Sequence, residues 1–261
     1  MTSPRTYQTD AIIIKKTKLG EADTILTFYT PELGKIQGFA KSLRKTKSRM
    51  AGHLELLTHS RVSFARGKSI DAITGCQTID SFLPLKTDFR LMSFALYVIE
   101  LVNQFTPEHA EDPEIFHLLL NTLKNLCDTP DIELLLRYFE IHLLTEVGYR
   151  PQLQQCVGCR KVLEPVPNAF SPAAGGVLCP ECSYRSNSGL YSLSVNALKV
   201  LRFFQNNTCE TSLRLKVPRE LSEELERILR GYIRYTLERE LKSVAWLDNL
   251  KSQAALTGRG A

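Results

Sequence analysis

Four cysteines in two pairs are the residues of this chain best suited to chemistry. Cys156 and Cys159 form one C-x-x-C motif, Cys179 and Cys182 form a second, and nineteen residues separate the two. Two such motifs about 15–20 residues apart can place four thiolates at the corners of a tetrahedron around Zn²⁺. The spacing therefore predicts one structural zinc ion per chain, held by all four cysteines in a site with no open coordination position.

The segment between the two motifs favours this interpretation. It contains Pro165, Pro167, Pro172, Gly175 and Gly176, so it cannot form a long helix and has little apolar material for a core of its own. A thioredoxin-like redox motif and four unrelated cysteines are the alternatives. A redox C-x-x-C normally occurs once and opens a helix after a strand, whereas these motifs are paired and lie among turns.

A zinc-dependent deaminase is the strongest enzymatic alternative, because His53-Leu54-Glu55 is an H-x-E motif. In that signature a proline precedes the first cysteine of the C-x-x-C, and three protein ligands leave a water on the zinc. Here Leu178 precedes Cys179, and the second cysteine pair would close the site. The chain also lacks a G-x-x-x-x-G-K-[ST] loop and a G-x-S-x-G motif. We therefore expect no enzymatic activity and assign no catalytic residue.

Length and composition limit the class of protein. A chain of 261 residues with 43% hydrophobic residues suits two globular domains. Apolar runs of about 18 residues are absent, and the first residues contain no apolar stretch typical of a secretory signal. Seven cysteines, four of them in metal spacing, suit a reducing compartment. We expect a cytoplasmic protein without a membrane span.

Charge is unevenly distributed along the chain. Residues 1–83 carry 13 Lys and Arg against 7 Asp and Glu, residues 84–155 carry 5 against 11, and residues 156–261 carry 15 against 10. Two basic ends thus flank an acidic middle. This polarity suits a polyanionic partner at one or both ends.

The amino-terminal region has the pattern of short strands. Ala11–Ile14 and Asp23–Tyr29 are rich in β-branched and aromatic residues, Lys35–Ala40 follows a Pro-Glu-Leu-Gly turn, and Val62–Phe64 and Ile70–Ile73 flank a further turn. About five strands in about 75 residues without a long helix are typical of an oligonucleotide-binding (OB) barrel. Residues 1–83 are therefore predicted to form a five-stranded OB-type nucleic-acid-binding domain.

A basic stretch lies between the predicted third and fourth strands. Between Leu33 and Leu54 there are six cations and no acid, a distribution that favours phosphate binding over a solvated loop, which usually mixes both signs. Phe39, Tyr29 and Phe64 are aromatic candidates for base stacking, although packing in the barrel core is the favoured interpretation for each. The predicted DNA-binding residues are the six cations and two from the following turn: Lys35, Lys41, Arg44, Lys45, Lys47, Arg49, Arg66 and Lys68.

From Asp88 onward the apolar residues recur with the period of helices. Three helices beginning near 88, 112 and 131 are expected to pack on one another, and another follows Ser194. A last helix is predicted from Pro218 to about Val244, with fraying beyond Ser252. The fold class is thus α+β, with an α-helical domain over 84–261 that carries the zinc-binding insert at about 151–190. Arg227, Arg230 and Arg234 are a secondary DNA-binding candidate, although an ion-paired solvated face fits them equally well.

This layout resembles the RecO family of bacterial recombinational-repair proteins. Three stretches carry the resemblance: Gly20-Glu-Ala-Asp-Thr-Ile-Leu-Thr-Phe-Tyr-Thr-Pro-Glu-Leu-Gly-Lys, Lys47-Ser-Arg, and Gly148-Tyr-Arg-Pro-Gln-Leu-Gln-Gln-Cys-Val-Gly-Cys, which runs on to Phe170-Ser-Pro and the second cysteine pair. The family usually has a glycine in the basic segment after the third strand, whereas this chain has Phe39-Ala-Lys-Ser-Leu-Arg.

The resemblance implies a DNA-binding recombination mediator. Proteins similar to RecO bind single- and double-stranded DNA, anneal complementary strands, and act with RecR and RecF to load recombinase. They act on strands coated by single-strand-binding protein, whose acidic tail they also bind. The resemblance thus implies a bacterial, nucleoid-associated protein. A zinc-ribbon and OB-barrel factor of transcription or translation is the alternative, because it shares the basic barrel and the cysteine pairs.

Overall fold

The computed structural model describes residues 5–45, 48–186 and 189–257, with 250–257 as backbone only. The described chain forms two compact units. The first unit comprises the described residues up to Asp128 together with those from Lys242 onward. The second unit runs from Thr129 to Leu241. These units follow packing, whereas the predicted domain boundary at 83 and 84 follows the end of the barrel and stays a prediction.

The first unit begins with a closed five-stranded barrel in the order β1-β2-β3-β5-β4. Strand β3 pairs with β5 in parallel, and β1 closes the barrel by pairing with β4 in antiparallel. This arrangement confirms the predicted OB-type barrel. The strands are β1 (Thr6–Leu19), β2 (Asp23–Thr30), β3 (Gly34–Ala40), β4 (His59–Ala65) and β5 (Asp71–Asp80).

Strand β1 is long because it pairs with both neighbours. Its first half pairs with β4 and its second half with β2, and the register with β2 shifts between Ile13 and Lys15. Such an irregularity lets the strand bend around a small barrel. Ile13 lies in the barrel core with Phe28, while the alternate residue Ile12 is also fully buried. The continuous apolar run in β1 therefore reflects a strand buried on both sides.

Helices cover the outer side of the barrel at one end. They are α1 (Leu83–Thr87), α2 (Phe89–Phe105) and α3 (Pro113–Asp128). Asp88 caps α2 by accepting hydrogen bonds from the N–H groups of Arg90 and Leu91. Helix α2 packs on β1 and α3, and α3 packs on β2. The fully buried Tyr29 donates its hydroxyl to the carbonyl of Asp112 at 3.5 Å, which places the start of α3 over this strand.

Gly34 is a position in the barrel that cannot accept a side chain. Its φ is +60°, and a Cβ atom there would lie 1.9 Å from the carbonyl oxygen of Ala110. We expect Gly34→Ala to destabilise the protein by roughly 2–5 kcal/mol, from left-handed backbone strain and the clash together. Gly20→Ala is the matched control, because Gly20 has a φ of +55° with no atom within 4 Å of the added Cβ. Denaturant unfolding should show a small loss for Gly20→Ala, and equal losses would contradict the role of the contact.

The second unit consists of helices around a small three-stranded sheet in the order β7-β6-β8. Helix α4 packs on α6, α7 and α8. The expectation that α4 forms one group with α2 and α3 is therefore wrong, because an apolar stripe shows that a helix is buried without showing its partner. The elements are α4 (Ile132–Glu146), β6 (Asn168–Ser171), β7 (Gly176–Leu178), α5 (Pro180–Tyr184), β8 (Tyr191–Leu193), α6 (Val195–Asn206), α7 (Cys209–Ser212) and α8 (Arg219–Leu237).

The end of the chain differs from the prediction of one helix to about Val244. Helix α8 ends at Leu237, where Glu238 adopts a left-handed φ of 52°, and a separate helix α9 (Lys242–Thr257) follows. The carboxylate of Glu100 accepts hydrogen bonds from the N–H groups of Lys242 and Ser243, so α9 begins against α2 of the first unit. The helix continues five residues past Ser252, to Thr257, and the rest of the segment predicted to fray lies outside the described residues. A tertiary contact with Glu100 decides this break, which neither glycine nor proline marks.

Candidate metal centre and nucleic-acid interface

The four cysteines predicted as metal ligands meet at one point in the second unit. The Sγ atoms of Cys156, Cys159, Cys179 and Cys182 all lie within 4.8 Å of one another. Those of Cys159 and Cys179 are 3.8 Å apart. Four sulfurs bound tetrahedrally at about 2.3 Å from a zinc ion are about 3.8 Å apart. The cluster thus has the size of a tetrahedral tetrathiolate site, and the interpretation as four unrelated cysteines is wrong.

Backbone hydrogen bonds bring the two motifs together. The N–H of Val157 donates to the carbonyl of Val177 at 2.9 Å, and the N–H of Cys179 donates to the sulfur of Cys156 at 3.3 Å. Gly158 gives the necessary space, because a Cβ atom on it would lie 3.0 Å from Cys182 Sγ. The local fold therefore positions the sulfurs through the small sheet and the two turns.

The close packing of the four thiols shifts the pKa values of Cys156 and Cys182 in opposite directions. Burial raises the pKa of the Cys156 thiol, but backbone N–H groups of Cys179, Cys159 and Gly158 outweigh it and lower this pKa to about 6. A hydrogen bond with Cys179 raises the pKa of Cys182 to about 12. Neighbouring thiols thus share protons through hydrogen bonds. A bound cation would replace these protons and bind the deprotonated sulfurs instead.

The residues of the deaminase alternative have other partners. His53 Nδ1 lies 2.8 Å from Thr78 Oγ1, and Glu55 forms an ion pair with Lys16 at 3.3 Å. Within the described ranges, the group of side chains close enough to hold a metal ion consists of cysteines alone. The fourth cysteine sulfur lies together with the other three, which favours a closed four-cysteine site over the three-ligand site of a deaminase.

Three contacts hold the start of the basic loop against the turn between β1 and β2. Leu43 is buried in the barrel core. The N–H of Ser42 donates to Asp23 Oδ1 at 2.6 Å, and the guanidinium of Arg44 donates to the carbonyls of Gly20 and Glu21. Ser42 has a φ of 56°, so a serine adopts the left-handed conformation that a glycine would adopt more easily. Sequence analysis missed Asp23 and Ser42, because their contact spans nineteen positions without a local signature.

The anchored loop leaves its lysines in solvent. Lys41, Lys45 and Arg49 are exposed, whereas Lys47 lies outside the described residues. Among the described residues, ion pairs do not involve Lys41, Lys45 or Arg49. The described part of the loop therefore presents three cationic side chains that are not engaged in ion pairs.

Lys35 differs from the other predicted DNA-binding residues. Its ammonium group donates to the carbonyl oxygen of Asn103 at 2.7 Å, and the side chain is half-buried. Burial lowers the pKa of Lys35, while the nearby carboxylate of Glu108 opposes this effect. These contacts favour a structural role in joining β3 to α2.

A substitution can separate the two roles of Lys35. Lys35→Gln should lower the melting temperature by a few degrees, because it removes a charge-assisted hydrogen bond worth about 1.5–3 kcal/mol. Oligonucleotide affinity should stay unchanged. A weaker affinity with unchanged stability would instead assign Lys35 to the phosphate-binding set.

The remaining predicted cations have mixed surroundings. Arg66 stacks over the ring of Tyr7 at 4.3 Å and pairs with Asp71 at 3.4 Å, while Lys68 is exposed in the same turn. In the second unit, Arg230 pairs with Glu226 and Arg234 pairs with Glu240. Arg227 is exposed on the same helix. For Arg230 and Arg234 the geometry favours the ion-paired face over a second phosphate site.

Two of the three aromatic candidates for base stacking are fully buried. Phe64 is fully buried in the barrel core, as the favoured interpretation predicted. Tyr29 is also fully buried, but it lies outside the core cluster, against the start of α3, so its assignment to the barrel core is wrong. Phe39 is only partly buried and is not among the residues of the barrel core, which contains its neighbours Ala40 and Ile36. The core assignment of Phe39 is therefore wrong, because the alternation along β3 points it to the outer side.

Taken together, a closed OB-type barrel, a helical part and a four-thiolate cluster define a class of barrel-and-helix proteins with a cysteine-rich insert. Helices long and apolar enough to cross a membrane are absent from the described residues. Two family models match the sequence, Recombination protein O N terminal over residues 1–82 and Recombination protein O C terminal over residues 86–245. The chain belongs to the RecO family.

Proteins named DNA repair protein RecO are similar over nearly the whole chain. The protein of Dehalococcoides mccartyi is 51% identical over 250 residues, which cover 96% of this chain and 98% of that protein. The protein of Roseiflexus sp. is 41% identical over 95% of this chain and 87% of its own length. That of Symbiobacterium thermophilum is 35% identical over 94% of this chain and 98% of its own. This confirms the family suggested by the sequence motifs and supports a role in DNA repair and recombination.

Proposed function

We propose that this protein is a DNA-binding recombination mediator without enzymatic activity of its own. It binds single- and double-stranded DNA, anneals complementary strands, and assists the loading of recombinase on strands coated by single-strand-binding protein. The observation that carries this proposal is the exposed, uncompensated charge of Lys41, Lys45 and Arg49 on an OB-type barrel. Membership in the RecO family supports the same proposal, because the family models are named for recombination.

The proposed binding is electrostatic. Exposed Lys and Arg side chains neutralise phosphates and release condensed counterions, which gives affinity without base specificity. Lys41, Lys45 and Arg49 form the described part of the surface, and Arg66 and Lys68 contribute from the turn between β4 and β5. Lys47 belongs to the proposed set on the basis of the sequence alone. Arg44 supports the surface by holding the loop against the first turn. Strong salt dependence of binding follows from this mechanism.

Annealing follows from the same charge. Two complementary strands repel each other because each carries one negative charge per nucleotide. A surface that neutralises both lowers this repulsion and raises their local concentration, so pairing becomes faster. The protein needs no bond-breaking step for this activity.

The proposed metal is a single structural Zn²⁺ held by Cys156, Cys159, Cys179 and Cys182. Four thiolates at tetrahedral spacing suit zinc, and such a site stabilises a segment with little core of its own. Proposed partners are DNA, RecR, the recombinase-loading machinery of the RecF pathway and the acidic tail of single-strand-binding protein. The proposed location is the bacterial cytoplasm, near the nucleoid.

An annealing assay on the purified full-length chain tests the function. Complementary labelled oligonucleotides, bare or coated with single-strand-binding protein, should pair faster with the protein than without it. A coated substrate whose binding protein lacks the acidic tail should show a smaller gain. A zinc-ribbon factor of transcription or translation would bind nucleic acid without accelerating pairing, and that result would reject the proposed role.

A further inference from the structure

The outer side of the barrel has a row of four paired residues, three of them apolar and partly exposed. Antiparallel register pairs Thr17 of β1 with Ile25 of β2, and Ile25 with Phe39 of β3. The parallel register then pairs Phe39 with Ala72 of β5. Paired residues of adjacent strands point to the same side of a sheet, so these side chains form one continuous row across four strands.

The residues of this row reach the surface, in contrast to outward-facing residues further along the same strands. Thr17 is exposed, and Ile25, Phe39 and Ala72 are partly exposed. Further along β2 the outward residue Tyr29 is fully buried, where α3 begins. The helices thus cover one end of the outer face fully, whereas the end that carries Phe39, the only aromatic residue of β3, stays partly exposed.

The basic loop begins next to this row. Phe39 and Ala40 end β3, and the exposed Lys41 follows directly. The turn between β1 and β2 accepts a hydrogen bond from Arg44. Strand β2 begins directly after this turn, at Asp23, and Ile25 is its third residue. A strand whose phosphates contact Lys41 and Lys45 would therefore have its bases within reach of Phe39. OB-type barrels bind oligonucleotides on this β2–β3 face.

We infer that Phe39 stacks on an unpaired base and makes this face selective for single strands. This inference rests on the proposed DNA binding and goes beyond it, because phosphate contacts alone do not distinguish paired from unpaired bases. A duplex keeps its base faces inside the stack and offers no partner to the ring. Annealing would then begin with unpaired bases stacked on the barrel. It would end when pairing with the complementary strand removes these bases from Phe39.

The test compares three labelled ligands of equal length by fluorescence anisotropy: oligo-dT, the same backbone with abasic sites, and a duplex. The abasic strand carries the same phosphates but has no base to stack. Wild-type protein should bind oligo-dT about tenfold more tightly than the abasic strand, the typical effect of stacking one base. Phe39→Ala should remove this ratio, with unchanged affinity for the duplex and an unchanged salt slope. Phe39→Trp should retain it.

Two further variants control for packing. Phe39→Leu keeps an apolar side chain without a π face, and it should behave as Phe39→Ala while melting at the wild-type temperature. Phe89→Ala removes a phenylalanine of α2 that is more exposed than Phe39, and this variant should keep the wild-type ratio. If Phe39→Ala and Phe39→Leu keep the wild-type ratio, or if wild type shows no ratio, the inference is wrong while the electrostatic proposal stands. Failure of wild type to bind any of the three ligands would reject the proposed function itself.

Discussion

Replacing Cys156 by serine is expected to abolish metal binding and to unfold the cysteine-rich insert. Metal analysis of the purified variant should fall from about one zinc per chain to none, since three sulfurs and a hydroxyl bind zinc far more weakly. The loss of free energy of unfolding should be at least about 4 kcal/mol, because a structural metal supplies folding energy directly. The insert offers little compensation, since its sheet has strands of only three or four residues. Hydrogen exchange over residues 151–193 would show the local loss of protection.

Cys209→Ser is the matched control for this prediction. It makes the same chemical change in the same unit, at a half-buried cysteine outside the four-thiolate cluster. This variant should keep one zinc per chain and normal protection of the insert. A Glu55→Gln variant should also keep its zinc, which separates a structural site from a deaminase. Full zinc content in Cys156→Ser would contradict the proposed four-thiolate coordination.

Reversing three exposed charges of the basic loop should have the largest effect on nucleic-acid binding. The combined change Lys41→Glu, Lys45→Glu and Arg49→Glu should weaken binding of a single strand at least about 100-fold at low salt, because three favourable phosphate contacts become repulsive. The slope of log K against log salt should fall by about 2, as expected for three lost contacts at about 0.7 each. Annealing should slow in parallel.

The control carries the same change in net charge at other sites. Lys124→Glu, Lys199→Glu and Lys216→Glu together replace three exposed lysines that are not part of the loop sequence. If charge acts locally, this control should lose only the small affinity that follows from net charge, with an unchanged salt slope. Equal losses in the two triple variants would show that overall charge, and not the loop, governs binding. Unaltered affinity in the loop variant would remove the basis of the proposed function.

Local patterns in the sequence were sufficient for the metal site and for most elements. Ligand spacing is a local property, so the positions of Cys156, Cys159, Cys179 and Cys182 predicted their cluster before any fold was known. Alternating β-branched residues predicted the barrel strands, and the caps at Asp88 and Asp131 marked helix starts that the structure confirms. The basic composition of the loop after β3 was equally visible.

Contacts between distant residues were not predictable in this way. The break between α8 and α9 depends on Glu100, whose carboxylate accepts hydrogen bonds from N–H groups about 140 positions away in the chain. The half-buried state of Lys35 depends on the carbonyl of Asn103. The side of the sheet that Phe39 faces depends on register, and a shift of one residue would have put it in the core.

By itself, the sequence determined that this is a basic OB-type barrel with helices and a tetrathiolate site, because spacing, periodicity and charge are properties of the chain. Only the tertiary structure decided which cations are free to meet phosphates and which aromatic side chain remains at the surface. The physical reason is that exposure and pairing result from packing between segments far apart in the chain. Lys35 and Lys41 have the same side chain, and only their neighbours distinguish them.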